Sequence, residues 1–279
     1  MPRRCCLEFQ LMPKVTGLIE QSLNRIPAGR SLRALLWRKL YDDLARKHGT
    51  GEFVFMNYGY AAENNPSASV TELSAALYAR VVQPFDLADK VVVEVGSGRG
   101  GGAAFLAKTY GPKLMLGLDF SGPAVSLSQQ LHNAPNLRYR QGDAGQLPLA
   151  DGFADLIVNV ESSHCYPSVD KFLAEAYRVL KPGGGFAWCD LRANYERDLA
   201  SKQFADAGFE VFEEEEITPR VLQALSQAAE DKERLLSREL PGWMRPGYAD
   251  FAAMPGTHIY NSLKDGERIY LRKAARKLS

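Results

Sequence analysis

The run Glu94-Val95-Gly96-Ser97-Gly98-Arg99-Gly100-Gly101-Gly102 places an acid at the mouth of a glycine-rich loop. Glycines let a backbone turn tightly and approach a ligand, and a helix starting behind such a loop offers it unpaired N–H groups. Gly96, Gly98 and Gly101 match the spacing G-x-G-x-x-G of a dinucleotide loop, a pattern too common to decide the ligand alone. Two more acids follow at a regular beat: Asp119 lies 25 residues after Glu94, and Asp143 lies 24 residues after Asp119. Asp119 is 21 residues past Gly98, the distance at which an acid accepts hydrogen bonds from ribose hydroxyls. Asp143, with Ala144 beside it, fits an adenine amino group, and Phe120 fits the face of the base. As plain structure, either aspartate would cap a helix. In register, the set points to a nucleoside-containing cofactor, of which NAD is one reading.

A second group has the residue types for proton transfer. His164 stands in Glu161-Ser162-Ser163-His164-Cys165-Tyr166-Pro167, and Asp190 follows further on. An imidazole with an unperturbed pKa near ~6.5 can take a hydroxyl proton at neutral pH. Asp190 could orient that ring or bind an acceptor; its plainer role is to cap the next helix. His258 is a more distant candidate, and His132 reads as a surface helix residue. Glu161 could contact either the cofactor or the acceptor. The aromatic segment 53–60 includes Tyr58 and Tyr60, either of which could shelter the cofactor or simply pack in the core. The cysteines Cys5, Cys6, Cys165 and Cys189 form no C-x-x-C pair, and no His stands at zinc-like spacing from them, so no metal site is expected.

These residues need elements to hold them. Apolar spacing predicts helices over 14–49 and from Thr71 to Gln83, the latter stopped by Pro84. Then the rhythm changes. KVVVEVG (90–96), LMLGLDF (114–120), LRYRQGD (137–143), DLIVNVE (155–161) and GGFAWCDL (184–191) read as strands. Helices over 101–111, 123–131 and 169–180 separate most of them, the last stopped by Pro182 and Gly183. Such alternation implies a doubly wound α/β sheet with right-handed crossovers and ligands beyond the strands' carboxyl ends. A helix over 195–207, a strand over 209–218, a Pro-broken helical stretch over 219–263 and an alternating strand over 267–276 complete the chain.

The motifs EVGSGRGGGAAFLAK, LDFS, GDAGQLPLADGFADLIVNVESSHCYP and EAYRVLKPGG resemble the class I S-adenosylmethionine-dependent methyltransferases. Within them, NVESSHCYP and GTHIYNSLKDGERIYL resemble the phthiotriol/phenolphthiotriol dimycocerosates methyltransferase type and related polyketide O-methyltransferases. The resemblance is strong over 88–192, fair over 52–66 and 208–272, and absent before residue 50. It implies a Rossmann-like, seven-stranded, mostly parallel sheet with an N-terminal helical cap and a helical lid. The expected division is 1–85 cap, 86–218 cofactor-binding core, 219–263 lid over the acceptor, and 264–279 last strand. The implied cofactor is S-adenosyl-L-methionine, held by Tyr58, Glu94, Gly96, Gly98, Gly100, Asp119, Phe120, Asp143, Ala144 and Val160. The implied acceptor site lies beyond strands four and five, where His164 would be the base and Asp190 its partner. The activity expected is O-methylation of a small apolar, polyketide- or lipid-like molecule. The alternatives are C-methylation of a sterol- or quinone-like ring and a non-methylating rearrangement or cyclisation on the same fold.

Composition is permissive. The 279 residues carry a net charge of +1, which argues against a dedicated nucleic-acid binder. No apolar stretch is long enough to span a bilayer, and a cytoplasmic location is expected. The charge is uneven: residues 1–50 hold ten Lys/Arg against four Asp/Glu, and residues 264–279 six against two, while Glu213, Glu214, Glu215 and Glu216 sit between. Basic ends could favour weak contact with an anionic membrane surface; the plainer reading is solvated faces of terminal elements.

Overall fold

The computed structural model describes residues 54–62, 67–239, 242 and 245–278. The helical pattern over 14–49, Cys5 and Cys6 lie outside the described residues, as does most of the expected cap. Helix α1 (Val70–Val82) begins at Ser69, whose hydroxyl accepts from the Glu72 N–H while the Glu72 carboxylate accepts from the Ser69 N–H, a reciprocal cap. The alternation then runs β1 (Val91–Val95), α2 (Gly101–Tyr110), β2 (Leu114–Asp119), α3 (Gly122–Leu131), β3 (Leu137–Gln141), β4 (Ala154–Val160), α4 (Val169–Val179) and β5 (Leu180–Ala193). It continues with α5 (Arg197–Asp206), β6 (Phe209–Glu216), the helices α6 (Thr218–Gln227), α7 (Ala229–Glu239), α8 (Arg245–Phe251) and α9 (His258–Lys264), and β7 (Arg268–Lys277).

The strands form one seven-stranded sheet in the order β3-β2-β1-β4-β5-β7-β6, with β7 antiparallel to both its neighbours. β1 reads Val-Val-Val-Glu-Val because it is covered on both faces. Leu77, Val81 and Leu106 pack on one side of the sheet, and Phe172, Phe186, Trp188 and Phe204 on the other. Strand order reverses between β1 and β4, so connections depart to opposite sides and leave a crevice at the carboxyl edge. That edge carries Gly96, Asp119, Glu161 and Asp190. β5 starts earlier than its apolar run predicts. Pro182 and Gly183 lie inside the strand, where the pairing with β4 shifts register between Ala154 and Leu156.

β7 departs from its expected alternation. Ile269 to Ala275 are all buried, Arg272 and Lys273 among them, because the strand lies between β5 and β6 rather than at the edge. Charges removed from water need partners, and β6 supplies them. Its register sets Glu214 opposite Lys273 and Glu215 opposite Arg272. Arg272 donates to Glu213 at 2.6 Å and to the Arg80 carbonyl at 2.9 Å, while Lys273 pairs with Glu214 and donates to Ser201 Oγ at 2.9 Å. Arg276 pairs with Glu210, and Lys277 donates to the Tyr177 and Leu180 carbonyls. The acidic run therefore neutralises Arg272 and Lys273 across two strands, while Arg276 stays exposed beside Glu210. Among the described residues no helix is long and apolar enough to cross a membrane.

Candidate active site

A cavity of about 750 Å³ opens at the carboxyl edge. Its walls are the segment Val54–Asn57, the loop Gly96–Arg99, Asp119–Ser121 after β2, Gly142–Gln146 after β3, and Val160–Ser162 with Cys165–Ser168 after β4. Of the residues expected to hold the cofactor, Gly96, Gly98, Asp119, Phe120, Asp143, Ala144 and Val160 line this one cavity.

The loop owes its shape to two glycines. Gly96 has φ +79°, and a Cβ there would lie 1.8 Å from Ser162 Oγ. A Cβ on Gly101 would lie 2.4 Å from the Val54 carbonyl, which accepts the Gly101 N–H at 3.2 Å. Asp119 fastens the loop: Oδ2 accepts the Gly98 N–H at 2.8 Å and Oδ1 the Ser121 N–H at 2.9 Å. Asp119 also lines the cavity, where a carboxylate can accept from ribose hydroxyls. Phe120, 46% exposed at the rim, presents an aromatic face, and Asp143 borders the same end. An adenosine moiety fits this set.

Glu94, Gly100 and Tyr58 do not line the cavity. Glu94 is fully buried beneath the loop and accepts from the Tyr78 hydroxyl at 2.6 Å. Burial raises its carboxyl to about 7, against the opposing effect of that hydrogen bond. Gly102 leaves room for the Tyr78 ring, which a Cβ would meet at 2.0 Å. Gly100 is behind the loop, its carbonyl accepting from the Tyr139 hydroxyl at 2.6 Å. The Tyr58 hydroxyl donates to the Phe251 carbonyl of α8 at 3.1 Å, and its N–H donates to Glu161 Oε1 at 2.7 Å. Tyr58 thus links the segment before α1 to the end of β4 and to α8.

His132, expected on an open surface, is half-buried instead and its Nε2 lies 3.0 Å from the Arg99 carbonyl, bracing the loop from behind. Sequence reading also passed over Tyr78, Met56 and Lys171, all of which line the cavity. Only Tyr78 had a local signal: an acid inside the apolar strand β1 must find a buried donor.

His164 and Asp190 do not line this cavity; they meet on the turn whose Ser162 and Cys165 do. His164 stands on a 3-10 turn, Ser163–Cys165, and its Nδ1 lies 2.7 Å from Asp190 Oδ1. Asp190 Oδ2 accepts the His164 main-chain N–H at 2.8 Å and also accepts from the Ser163 hydroxyl. Ser163 Oγ in turn accepts from Trp188 Nε1 at 3.0 Å and from Arg192 Nη2 at 2.7 Å, which uses both its lone pairs. Burial works to raise the Asp190 carboxyl, but His164 and Arg192 outweigh it and hold it at about 2. Burial opposes the imidazolium of His164, yet Cys165 and Asp190 together push its pKa well above the usual value. With no exposure and these partners, Asp190 orients the ring. With Nδ1 facing Asp190 as donor, the basic lone pair belongs to Nε2.

Fold and cavity together define a doubly wound α/β protein with a glycine- and acid-lined crevice at its switch point. Comparison with known proteins narrows this. Residues 93–188 match the family described as a methyltransferase domain. The chain is 34% identical over 247 residues to the phthiotriol/phenolphthiotriol dimycocerosates methyltransferase of Mycobacterium leprae (strain TN), spanning 86% of this chain and 91% of that one. It is 33% identical over 241 residues to the fatty-acid O-methyltransferase of Mycolicibacterium smegmatis, 84% of each chain. Among solved structures, the geranyl diphosphate C-methyltransferase from Streptomyces coelicolor A3(2) superposes with a TM-score of 0.63 at 18% identity, covering 85% of this chain and 98% of that one. The chain belongs to the class I S-adenosylmethionine-dependent methyltransferases, and S-adenosylmethionine is its cofactor.

Proposed function

We propose that this enzyme methylates a hydroxyl oxygen of a small apolar, polyketide- or lipid-like acceptor, with His164 as general base and Asp190 as the residue that positions it. The observation that carries the reading is the 2.7 Å contact between His164 and Asp190, on the turn whose Ser162 and Cys165 line the cofactor cavity. The names of the relatives, a phthiotriol dimycocerosates methyltransferase and a fatty-acid O-methyltransferase, support an oxygen nucleophile on a lipid-like molecule.

The cofactor supplies an activated methyl group on a sulfonium. The chain's own work is then to align the acceptor, exclude water and accept one proton. Asp119 and the glycine loop hold the nucleoside, and Phe120 and Asp143 its base. Nε2 of His164 takes the hydroxyl proton as the oxygen attacks, and Asp190 stabilises the imidazolium that results. The helices between β6 and β7 close the acceptor side.

Incubation with S-adenosylmethionine and a long-chain secondary alcohol tests the reading by NMR of the product. An ether methyl and an equivalent of S-adenosylhomocysteine are expected. A methyl found on carbon, or turnover without S-adenosylhomocysteine, would replace it with one of the other two reactions.

A further inference from the structure

Beneath the lid lies a second polar cluster that the proton transfer does not use. Tyr58 ties it together, since its N–H donates to Glu161 Oε1 and its hydroxyl to the Phe251 carbonyl. The next carbonyl along, that of Ala252, accepts from Nζ of Lys232 on α7 at 3.2 Å. Lys232 is only 9% exposed, and this carbonyl is its one hydrogen-bond partner among the described residues. An ammonium has three donors, so two remain unspent where unspent donors are costly. Glu161 is near enough for its charge to act on the ammonium, yet among the described residues no ion pair joins the two. The Tyr270 ring lies 6.3 Å from that of Tyr58, and its buried hydroxyl stands beside the Glu161 carboxylate without a well-formed hydrogen bond among the described residues. Glu161 itself is held at φ 47°, a left-handed conformation that a glutamate adopts only when its surroundings impose it. Burial holds the Lys232 ammonium down at about 8 and the Glu161 carboxyl up at about 7.

We propose that Glu161, Tyr270 and Lys232 form an anchoring subsite for a second oxygen function of the acceptor, distinct from the oxygen that is methylated. A hydroxyl meets the requirement best, because it donates to Glu161 and accepts from Lys232 at once. The preferred acceptor is then an apolar chain with at least two oxygen functions, such as a long-chain diol, rather than a simple alcohol. A site built to hydrogen-bond a substrate oxygen rejects the analogue lacking it far more strongly than an apolar pocket rejects a misfit chain. This inference rests on the acceptor class proposed above. The amino-acid end of the cofactor carries the same chemistry, an amine for Glu161 and a carboxylate for Lys232, and Glu161 also lines the cofactor cavity.

Titration calorimetry separates the two sources without needing turnover. A long-chain 1,3-diol and the matched mono-alcohol are titrated into the protein saturated with S-adenosylhomocysteine. Wild type is expected to bind the diol about tenfold more tightly or better. Lys232→Met should lower the diol to the affinity of the alcohol, with S-adenosylhomocysteine binding and thermal midpoint unchanged. Lys232→Gln, which keeps one donor, should retain part of the preference, whereas a variant that only loosens the lid would weaken both ligands alike. Equal affinity of wild type for the two ligands, absence of binding by both included, overturns the proposal. So does equal loss of both ligands in Lys232→Met and Lys232→Gln, or loss of S-adenosylhomocysteine affinity at an unchanged thermal midpoint. Methyl transfer to carbon would sink the oxygen reading and leave this result standing.

Discussion

Asp190 holds His164 at two points, Oδ1 lying 2.7 Å from the ring Nδ1 and Oδ2 accepting the main-chain N–H of the same residue at 2.8 Å. The carboxylate therefore fixes both the ring's orientation and the backbone turn that presents it. His164→Ala should lower turnover by about 10²-fold or more, the usual scale of a lost general base, while S-adenosylhomocysteine affinity stays near wild type. Asp190→Asn should cut turnover substantially, since an amide no longer stabilises the imidazolium. Turnover of His164→Ala close to wild type would remove the residue from the mechanism.

The same pair sets the pH dependence. A base works unprotonated, and Cys165 and Asp190 push the His164 pKa well above its ordinary value despite burial. The acid limb of kcat/KM should accordingly lie on the alkaline side of an ordinary histidine. Asp190→Asn removes the carboxylate's share of that effect, so the limb should move to lower pH even as the maximum falls. A limb that stays in place in Asp190→Asn would show that another group controls it.

The core was legible because its signals are local. Each glycine or acid at a strand's carboxyl end follows an apolar run within a few residues, and successive βα units repeat at a fixed beat, so Gly96, Asp119, Asp143 and Asp190 could be placed on one edge from spacing. What escaped depends on register between distant segments. Glu161 and Tyr58 meet across 103 residues, and Glu214 and Lys273 across 59. Arg272 and Lys273 read as a wet face because nothing near them in sequence announces the partners on β6. Lys232 stands between charged residues of α7, and nothing near it in sequence announces its burial against the Ala252 carbonyl.

Asp119 has a structural task and, in the proposed reading, a binding one, and one substitution touches both. Asp119→Ala removes the acceptor of the Gly98 and Ser121 N–H groups as well as the site for ribose hydroxyls. S-adenosylhomocysteine affinity should fall by about tenfold or more, as expected for losing hydrogen bonds to a charged group. Asp119→Asn should fall less, since the amide oxygen still accepts. Calorimetry on the two variants provides the comparison, and unchanged affinity in Asp119→Ala would undo the ribose assignment.

Glu94 should leave its mark on stability rather than on chemistry. Its carboxyl titrates near 7 in the folded protein against an ordinary 4.5, because burial outweighs the Tyr78 hydrogen bond. Between those values the folded state keeps a proton that the unfolded chain gives up, so stability declines as pH rises through this window. Glu161, also raised to about 7, contributes in the same direction. Asp190, held at about 2, acts oppositely: its contribution is present above the ordinary carboxylate range and is lost only in strong acid. The thermal midpoint of wild type should therefore be higher at about pH 5 than at about pH 8. Glu94→Gln keeps an oxygen to accept from Tyr78 and has no proton to lose, so its midpoint should fall less over the same range. Equal declines in the two proteins would mean that Glu94 is already ionised at its ordinary pKa and that the buried hydroxyl of Tyr78 suffices to hold the charge.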